Sequence, residues 1–259
     1  MNIDFHSEQN KYTYTGRTAH EDWTKTIVQL ISPQGLRVAD IGCGGGIYSA
    51  AWANLGAAEV IGIDFSAQMV TAANEHRRNG LNVSFRQGTA EHTGLAPESV
   101  DIVFARALIH HLPELNGCFS EAFRVLTPGG HVIIQDRTPE DVQIPGSKDH
   151  IRGYFFALFP RLTAMEIQRR PQKQRVCDAL KAAGFTGIIS VTVWETRRTY
   201  EHFEQLAQDL RMRTGRSILH YLNDDELDQL IHHIEQHIAG SGPIVEKDPW
   251  TIWFASKEA

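Results

Sequence analysis

Val38-Ala39-Asp40-Ile41-Gly42-Cys43-Gly44-Gly45-Gly46-Ile47 is the stretch whose reading decides the fold of this chain. A short apolar segment, Leu36 to Ile41, enters the glycine-rich turn, and a helix-compatible stretch, Tyr48 to Leu55, leaves it. The order is strand, loop, helix. Glycines permit the sharp turn and let backbone N–H groups approach a ligand with no Cβ in the way. As a dinucleotide fingerprint the loop fails. Counted from Gly42, the last glycine of G-x-G-x-x-G falls on Ile47, and counted from Gly44 it falls on Ser49. The carboxylate of Asp40, directly before the loop, points to a different ligand.

Further along, a second apolar strand, Val60-Ile61-Gly62-Ile63, ends at Asp64, about 20 residues past the loop. Next come Val83-Ser84-Phe85-Arg86-Gln87-Gly88-Thr89-Ala90-Glu91 and a fourth strand, Ser99 to Arg106, followed by Ala107-Leu108-Ile109-His110-His111-Leu112. Val125-Leu126-Thr127-Pro128-Gly129-Gly130-His131-Val132-Ile133-Ile134 reads as a helix-to-strand turn and a fifth strand. In this order, over residues 36 to 136, these motifs resemble the class I S-adenosylmethionine-dependent methyltransferases, in their small-molecule, type 11-like branch.

The resemblance implies an α/β fold: a Rossmann-like, doubly wound, seven-stranded sheet with an antiparallel last strand. It implies S-adenosyl-L-methionine as cofactor and S-adenosyl-L-homocysteine as its product. Asp40, Gly42, Gly44 and Gly46 would form the donor loop, and Asp64 would take both ribose hydroxyls. As a strand-end carboxylate outside the core, Asp64 is expected to be replaceable without loss of the fold. Thr89, Ala90 and Glu91 would lie on the adenine side. The family commonly has Asp where Thr89 stands, so the backbone of Ala90, or Glu91, is expected to meet the adenine amino group. Arg106, at the end of the fourth strand, would lie beside the same ligand. Tyr14 and Arg17 resemble an N-terminal Tyr and Arg that close over the donor's methionine part in some members, with Tyr12 competing for the first role.

Composition fits one large α/β domain: 259 residues, of which 42% are hydrophobic. The three cysteines, Cys43, Cys118 and Cys177, are widely spaced and odd in number, which excludes a disulfide framework or zinc site. The first residues lack an apolar core of signal-peptide length, and no apolar run is long enough for a bilayer. The cytoplasm is the expected compartment. A formal net charge of -6 argues against nucleic acid as partner. One local exception is Arg161, Arg169, Arg170, Lys173 and Arg175, read as a solvated basic face, with an RNA contact as the alternative. A monomer or homodimer acting on a small molecule is expected.

Apolar spacing predicts a helix from His20 to Ile31, then alternating strands and helices through Asp136. After Asp136 the pattern breaks. Thr138-Pro139 and Ile144 to Ser147 read as loop, Ile151 to Phe159 as an aromatic helix closed by Pro160, and a regular helix resumes at about Pro171. Strand six is expected at Ile188 to Trp194 and strand seven at Trp250 to Ala255, with helices at Tyr200 to Arg213 and Asp225 to Ala239 between them. Asn223 or Asp224 is positioned to cap the last of these. The expected organisation is one domain, 1–259. Its core covers about 20–136, 171–195 and 249–257, and its helical cap insertions cover about 137–170 and 196–248.

Ligands of open α/β sheets lie beyond the carboxyl ends of the strands, the side on which both insertions leave the core. They are therefore expected to cap an acceptor pocket. Methyl transfer from a sulfonium is an in-line displacement, so the protein must place the nucleophile roughly 3 Å from the methyl carbon. A base is needed only if the acceptor must lose a proton. His110 and His111, after the fourth strand, are the catalytic candidates. The bland reading has His111 capping the next helix and His110 merely packed. Arg137, Arg152, Tyr154 and Phe155 are the substrate candidates. His233 and His237 have metal-like i, i+4 spacing beside His232, but Ile234 stands where a zinc-protease helix has Glu, and no metal is expected. Two other readings remain: an RNA or protein acceptor, and a regulatory protein of this fold that holds the cofactor without turnover.

Overall fold

The computed structural model describes residues 18–77, 80–213, 215–238, 240 and 242–259. The chain divides into two compact units. One comprises the described residues through Asp136 together with Pro171–Val193 and Thr251–Ala259. The other comprises Arg137–Arg170 and Trp194–Trp250.

The first unit is built on a sheet. Its elements, in chain order, are α1 (Glu21–Leu30), β1 (Arg37–Ile41), α2 (Ile47–Asn54), β2 (Glu59–Asp64), α3 (Ala67–Glu75), β3 (Val83–Gln87), β4 (Val100–Arg106), α4 (Asn116–Val125) and β5 (Leu126–Asp136). After the excursion into the second unit come α8 (Lys173–Ala182), β6 (Thr186–Tyr200) and β7 (Ile244–Ser256), the last two being shared between the units. The strand order is β3-β2-β1-β4-β5-β7-β6. β1 pairs in parallel with β2 and β4, β4 pairs in parallel with β5, and β5 pairs antiparallel with β7. The expected fold class is the one observed.

Alternation along the strands explains why both faces are buried. On β1, Ala39 and Ile41 join one apolar cluster and Val38 the other. On β4, Val103 and Ala105 face the first, Ile102 and Phe104 the second. α4 and α8 cover the first face with Phe119, Val125, Val176 and Leu180. α1 and α2 cover the second with Trp23, Ile27 and Trp52, whose rings meet Phe104 edge-on. Each such fully buried side chain contributes about 1.5–3 kcal/mol.

The second unit contains α5 (Pro139–Val142), α6 (Arg152–Leu158), α7 (Pro160–Arg169), α9 (Phe203–Arg211) and α10 (Asp224–Ile238). It has an apolar cluster of its own, including Ile151, Phe155, Leu162, Leu206, Leu210, Leu230 and Ile234. A buried ionic network also braces it. Arg216, which is 1% exposed, pairs with Asp209 (2.5 Å) and Glu246 (2.7 Å), and the Tyr200 hydroxyl lies 2.8 and 2.9 Å from the same two carboxylates.

Three expectations need correction. Pro160 does more than close the aromatic helix, which ends at Leu158 with Phe159 as its cap: it also opens α7, where it has no N–H to lose and its fixed φ suits the first turn. Thr138 and Asp141 cap each other's backbone around α5, a one-turn helix where a loop was expected. Strands six and seven are longer than their β-branched cores, running Thr186–Tyr200 and Ile244–Ser256, because tertiary pairing extends them through residues of low strand propensity. The cap of α10 is Asn223, whose side-chain oxygen accepts from the Glu226 N–H while Glu226 accepts from the Asn223 N–H.

Candidate active site at the β1–β4 switch point

Parallel register brings the carboxyl ends of four strands to one edge. Ile41 of β1 stands beside Ile63 of β2 and Ala105 of β4, and Arg106 of β4 beside Gln135 of β5. Strand order reverses between β1 and β4, which is the crevice where open α/β sheets bind their ligands. The glycine loop leaves β1 on one side of this point, and the His110 turn leaves β4 on the other.

The loop is shaped by its contacts. Gly42 and Cys43 donate to the carbonyl of Ile63 at 2.7 and 3.1 Å. Gly42, at φ +74, lies so close under Leu108 that a Cβ would be 2.9 Å from Leu108 Cδ1. Gly46, at φ +80, is the residue before α2, and a Cβ there would fall 2.5 Å from Phe85 Cζ. Only glycine combines this backbone with this closeness.

Two carboxylates flank the loop. Asp40 is 1% exposed and accepts from Ser49 Oγ at 2.5 Å. Burial pushes its carboxyl up to about 7, and Asp64 adds to the rise, while the Ser49 hydrogen bond opposes it. Asp64 Oδ2 accepts the Gly44 N–H at 2.9 Å and Oδ1 accepts the Ser66 N–H at 2.9 Å. Asp64 is thus a brace for the loop and, at 6% exposed, a buried carboxylate rather than one outside the core. Loop, buried acid and strand-end acid therefore fit a nucleoside donor.

The guanidinium of Arg106 lies 4.3 Å from the Tyr48 ring centroid. The backbones of Thr89 and His92 pair with each other. Thr89 is exposed and Ala90 buried at 7%. Glu91 packs its Cγ 2.9 Å from where a Cβ of Gly117 would be. Tyr14 and Arg17 lie outside the described residues.

After β4 the chain turns at Ala107, which adopts φ +52, and runs through a short 3₁₀ turn, Ile109–His111. This aims His110 at the end of β5. Its Nδ1 lies 3.0 and 2.9 Å from the two oxygens of Asp136, and its backbone N donates to Oδ2 at 3.3 Å. His110 is not merely packed. His111 is exposed and stacks on His110 with ring centroids 4.0 Å apart, and α4 has no side-chain cap from it. Asp136 as the partner of His110 was missed in sequence, because only pairing of β4 with β5 brings positions 26 apart together.

In the second unit the substrate candidates are differently placed. Asp248 engages both Arg137 (2.8 Å) and Arg152 (3.1 Å), and Arg137 also lies 3.9 Å over the Trp250 ring. The two guanidiniums are held in a buried ion cluster rather than presented to solvent. Phe155 is 0% exposed in the unit's apolar cluster, so its assignment to substrate is corrected to packing. Tyr154 sits against His233 and His237, whose rings are 4.2 Å apart. Among the described residues, no group of three or more His, Cys, Asp or Glu is arranged to hold a metal ion. Of the basic stretch, Arg161 and Arg175 are exposed, as a solvated face requires, whereas Arg170 is buried. Arg161 pairs with Glu226, Arg169 and the buried Arg170 with Glu166, and Arg175 with Glu114. A cavity of about 240 Å³ behind the loop is lined by Ala19, Gly46, His76 and Phe85, among others, but not by Asp40, Asp64 or His110.

Sheet order and topology are those of the Rossmann-like methyltransferase fold. Residues 39–134 match the family model for the methyltransferase domain. A ubiquinone biosynthesis O-methyltransferase of Pseudomonas fluorescens is 38% identical over 120 residues, 44% of this chain and 50% of the relative. Its counterpart in Azorhizobium caulinodans is 35% identical over 102 residues, 39% of this chain and 40% of the relative. The chain thus spans about half the length, or less, of these curated relatives. Among solved structures, a protein of Anabaena variabilis ascribed, as a methyltransferase, to an antibiotic biosynthesis pathway matches with a TM-score of 0.70 at 20% identity, covering 92% of this chain and 98% of that one. Phosphoethanolamine N-methyltransferase 2 of Haemonchus contortus, solved with S-adenosyl-L-methionine, matches with a TM-score of 0.60 at 19% identity, covering 99% and 60%. At these identities the structural likeness is one of fold.

Proposed function

We propose that this protein is an enzyme that transfers a methyl group from S-adenosylmethionine to a small-molecule acceptor. The observation that carries the reading is the switch point itself. Asp40, the glycine loop and Asp64 surround one strand edge, within the segment that matches the methyltransferase domain. When bound, the donor supplies an electrophilic methyl carbon whose bond to sulfur breaks as the acceptor attacks, the electron pair returning to sulfur. The protein's part is to hold and orient. The loop N–H groups and Asp64 fix the nucleoside, Arg106 and the Thr89–Glu91 turn border it, and one of His110 and His111 serves the acceptor. Tyr154, and Arg137 and Arg152 through Asp248, are the residues we assign to acceptor recognition. They rest on sequence position, in the segment that follows β5 at Asp136.

Relatives named for ubiquinone biosynthesis and the ion-paired Arg169 and Arg170 both support a small acceptor over RNA. Among the described residues no helix is long and apolar enough to cross a membrane. The reading includes work in the cytoplasm as a monomer or homodimer. Thermal shift tests it, since a ligand bound only by the native state raises stability by about 2.7 kcal/mol at one hundred times its Kd. S-adenosylhomocysteine should raise the Tm and NAD should not. Stabilisation by NAD alone would overturn the proposal.

A further inference from the structure

Among the described residues two strands end the sheet, β3 on one side and β6 on the other. An outermost strand has a row of N–H and C=O groups with no strand to pair with, and natural proteins blunt such edges with shortness, charge or proline. β3 is blunted: it is five residues long and carries Arg86. β6 is not. Its portion in the first unit, residues 186–193, holds no charge and no proline, and the chain is uncharged from Ala182 to Trp194. Six of those eight residues are Thr, Ile or Val, the β-branched types that fit a pleated surface. Alternation puts Ile189 and Val191 on the face of Val193. Val193 packs against the apolar cluster of that face, whereas Ile189 is 49% and Val191 38% exposed. The apolar layer therefore runs out to the sheet edge uncovered.

We propose that this edge pairs with the same edge of a second copy of the chain, the two β6 strands running antiparallel about a two-fold axis at Ser190. The residues themselves select that occupant. With Ser190 facing its own copy, Ile189 of each chain lies opposite Val191 of the other, so the two exposed side chains cover each other twice on one face. On the other face Ile188 meets Thr192. The backbone groups along the edge gain ladder partners, and one sheet continues through both copies. Charge sets the register. An axis at Glu195, Arg197 or Arg198 would place like charges directly opposite, whereas an axis at Ser190 puts Glu195, the charged residue nearest to it, opposite Phe185. The dimer goes beyond the methyltransferase reading and does not rest on it.

Sedimentation of the full chain at high micromolar concentration should give the mass of two chains. Val191→Glu brings one unpaired carboxylate per copy into the contact, and at roughly tenfold for each it should weaken association about 100-fold. Ile189→Lys should weaken it by a similar factor. In the double variant Ile189→Lys/Val191→Glu, each Lys faces a Glu of the other copy, and association should return to within about tenfold of the parent. Both side chains are exposed in the single chain, so near-ultraviolet circular dichroism should match the parent in all three variants and show that each is folded. Rescue by the double variant is specific to this register, because a contact made anywhere else on the surface would not pair position 189 with position 191. A parent that sediments as one chain, single variants that stay dimeric, or a double variant that stays monomeric would overturn the proposal.

Discussion

Replacing Asp64 by Asn should damage the protein twice, and the two losses can be measured apart. In the structure the two oxygens of Asp64 each accept one backbone N–H, from Gly44 and from Ser66, both at 2.9 Å, and the residue is 6% exposed. A hydrogen bond to a charged group contributes roughly 1.5–3 kcal/mol, and a buried donor left without a partner costs about 1–3 kcal/mol. Asn keeps one accepting oxygen but turns an NH₂ group toward the other N–H. The stability of the ligand-free protein should therefore fall by about 2–4 kcal/mol in urea unfolding, with the amides of Gly44 and Ser66 exchanging faster with solvent. The second loss concerns the ribose. Two charge-assisted bonds weakened together should reduce affinity for S-adenosylhomocysteine by about 2–4 kcal/mol, roughly 30- to 700-fold by calorimetry. Stability within about 0.5 kcal/mol of the parent would show that Asp64 does not brace the loop. An unchanged affinity would place the ribose elsewhere.

Other perturbations follow from particular contacts. Gly46→Ala puts a Cβ 2.5 Å from Phe85 Cζ at φ +80 and should cost about 2–4 kcal/mol in urea unfolding, with partial recovery in Gly46→Ala/Phe85→Leu; no difference between single and double variants would rule out the overlap as the cause. Asp40 is raised from 3.8 to about 7 in the folded state, so its contribution to stability is fully present below about 3.8 and lost as pH rises through about 7. Asp40→Asn should accordingly gain on the parent between pH 5 and pH 8, and a constant difference in urea midpoint would contradict this. Glu166 has the opposite sign. Burial works against its charge, but Arg170 and Arg169 outweigh it and hold it at about 2, so its stabilisation is present above 4.5 and lost as pH falls toward 2. Glu166→Gln should lower stability at neutral pH and flatten the acid limb of the second unit's unfolding. Arg216→Ala leaves Asp209 and Glu246 buried without their central cation and should destabilise the second unit by about 3–5 kcal/mol; exchange rates in α9 equal to the parent's would show that the network is dispensable.

Local pattern carried much of this protein into view. The glycine run, the alternating apolar strands and Asp64 at a strand end are short-range signals, because a turn that needs φ > 0 and a strand of period two are dictated by neighbouring residues. The alternating strands and helices and the points where the chain leaves them, near Asp136 and Trp194, were therefore legible from one dimension, while the seven-strand sheet with its antiparallel last strand was what the family resemblance implied. Roles that depend on which distant side chain arrives opposite were not. The partner of His110 is supplied by strand pairing, the arginines at 137 and 152 are claimed by Asp248 about a hundred positions away, and Phe155 and Pro160 take their roles from the packing of the second unit. Asp64 shows the division within one residue. Its place at the end of β2 is a property of the sequence. Its brace on Gly44 is a property of the fold, because a hydrogen bond between residues 20 apart exists only once β1 and β2 lie side by side.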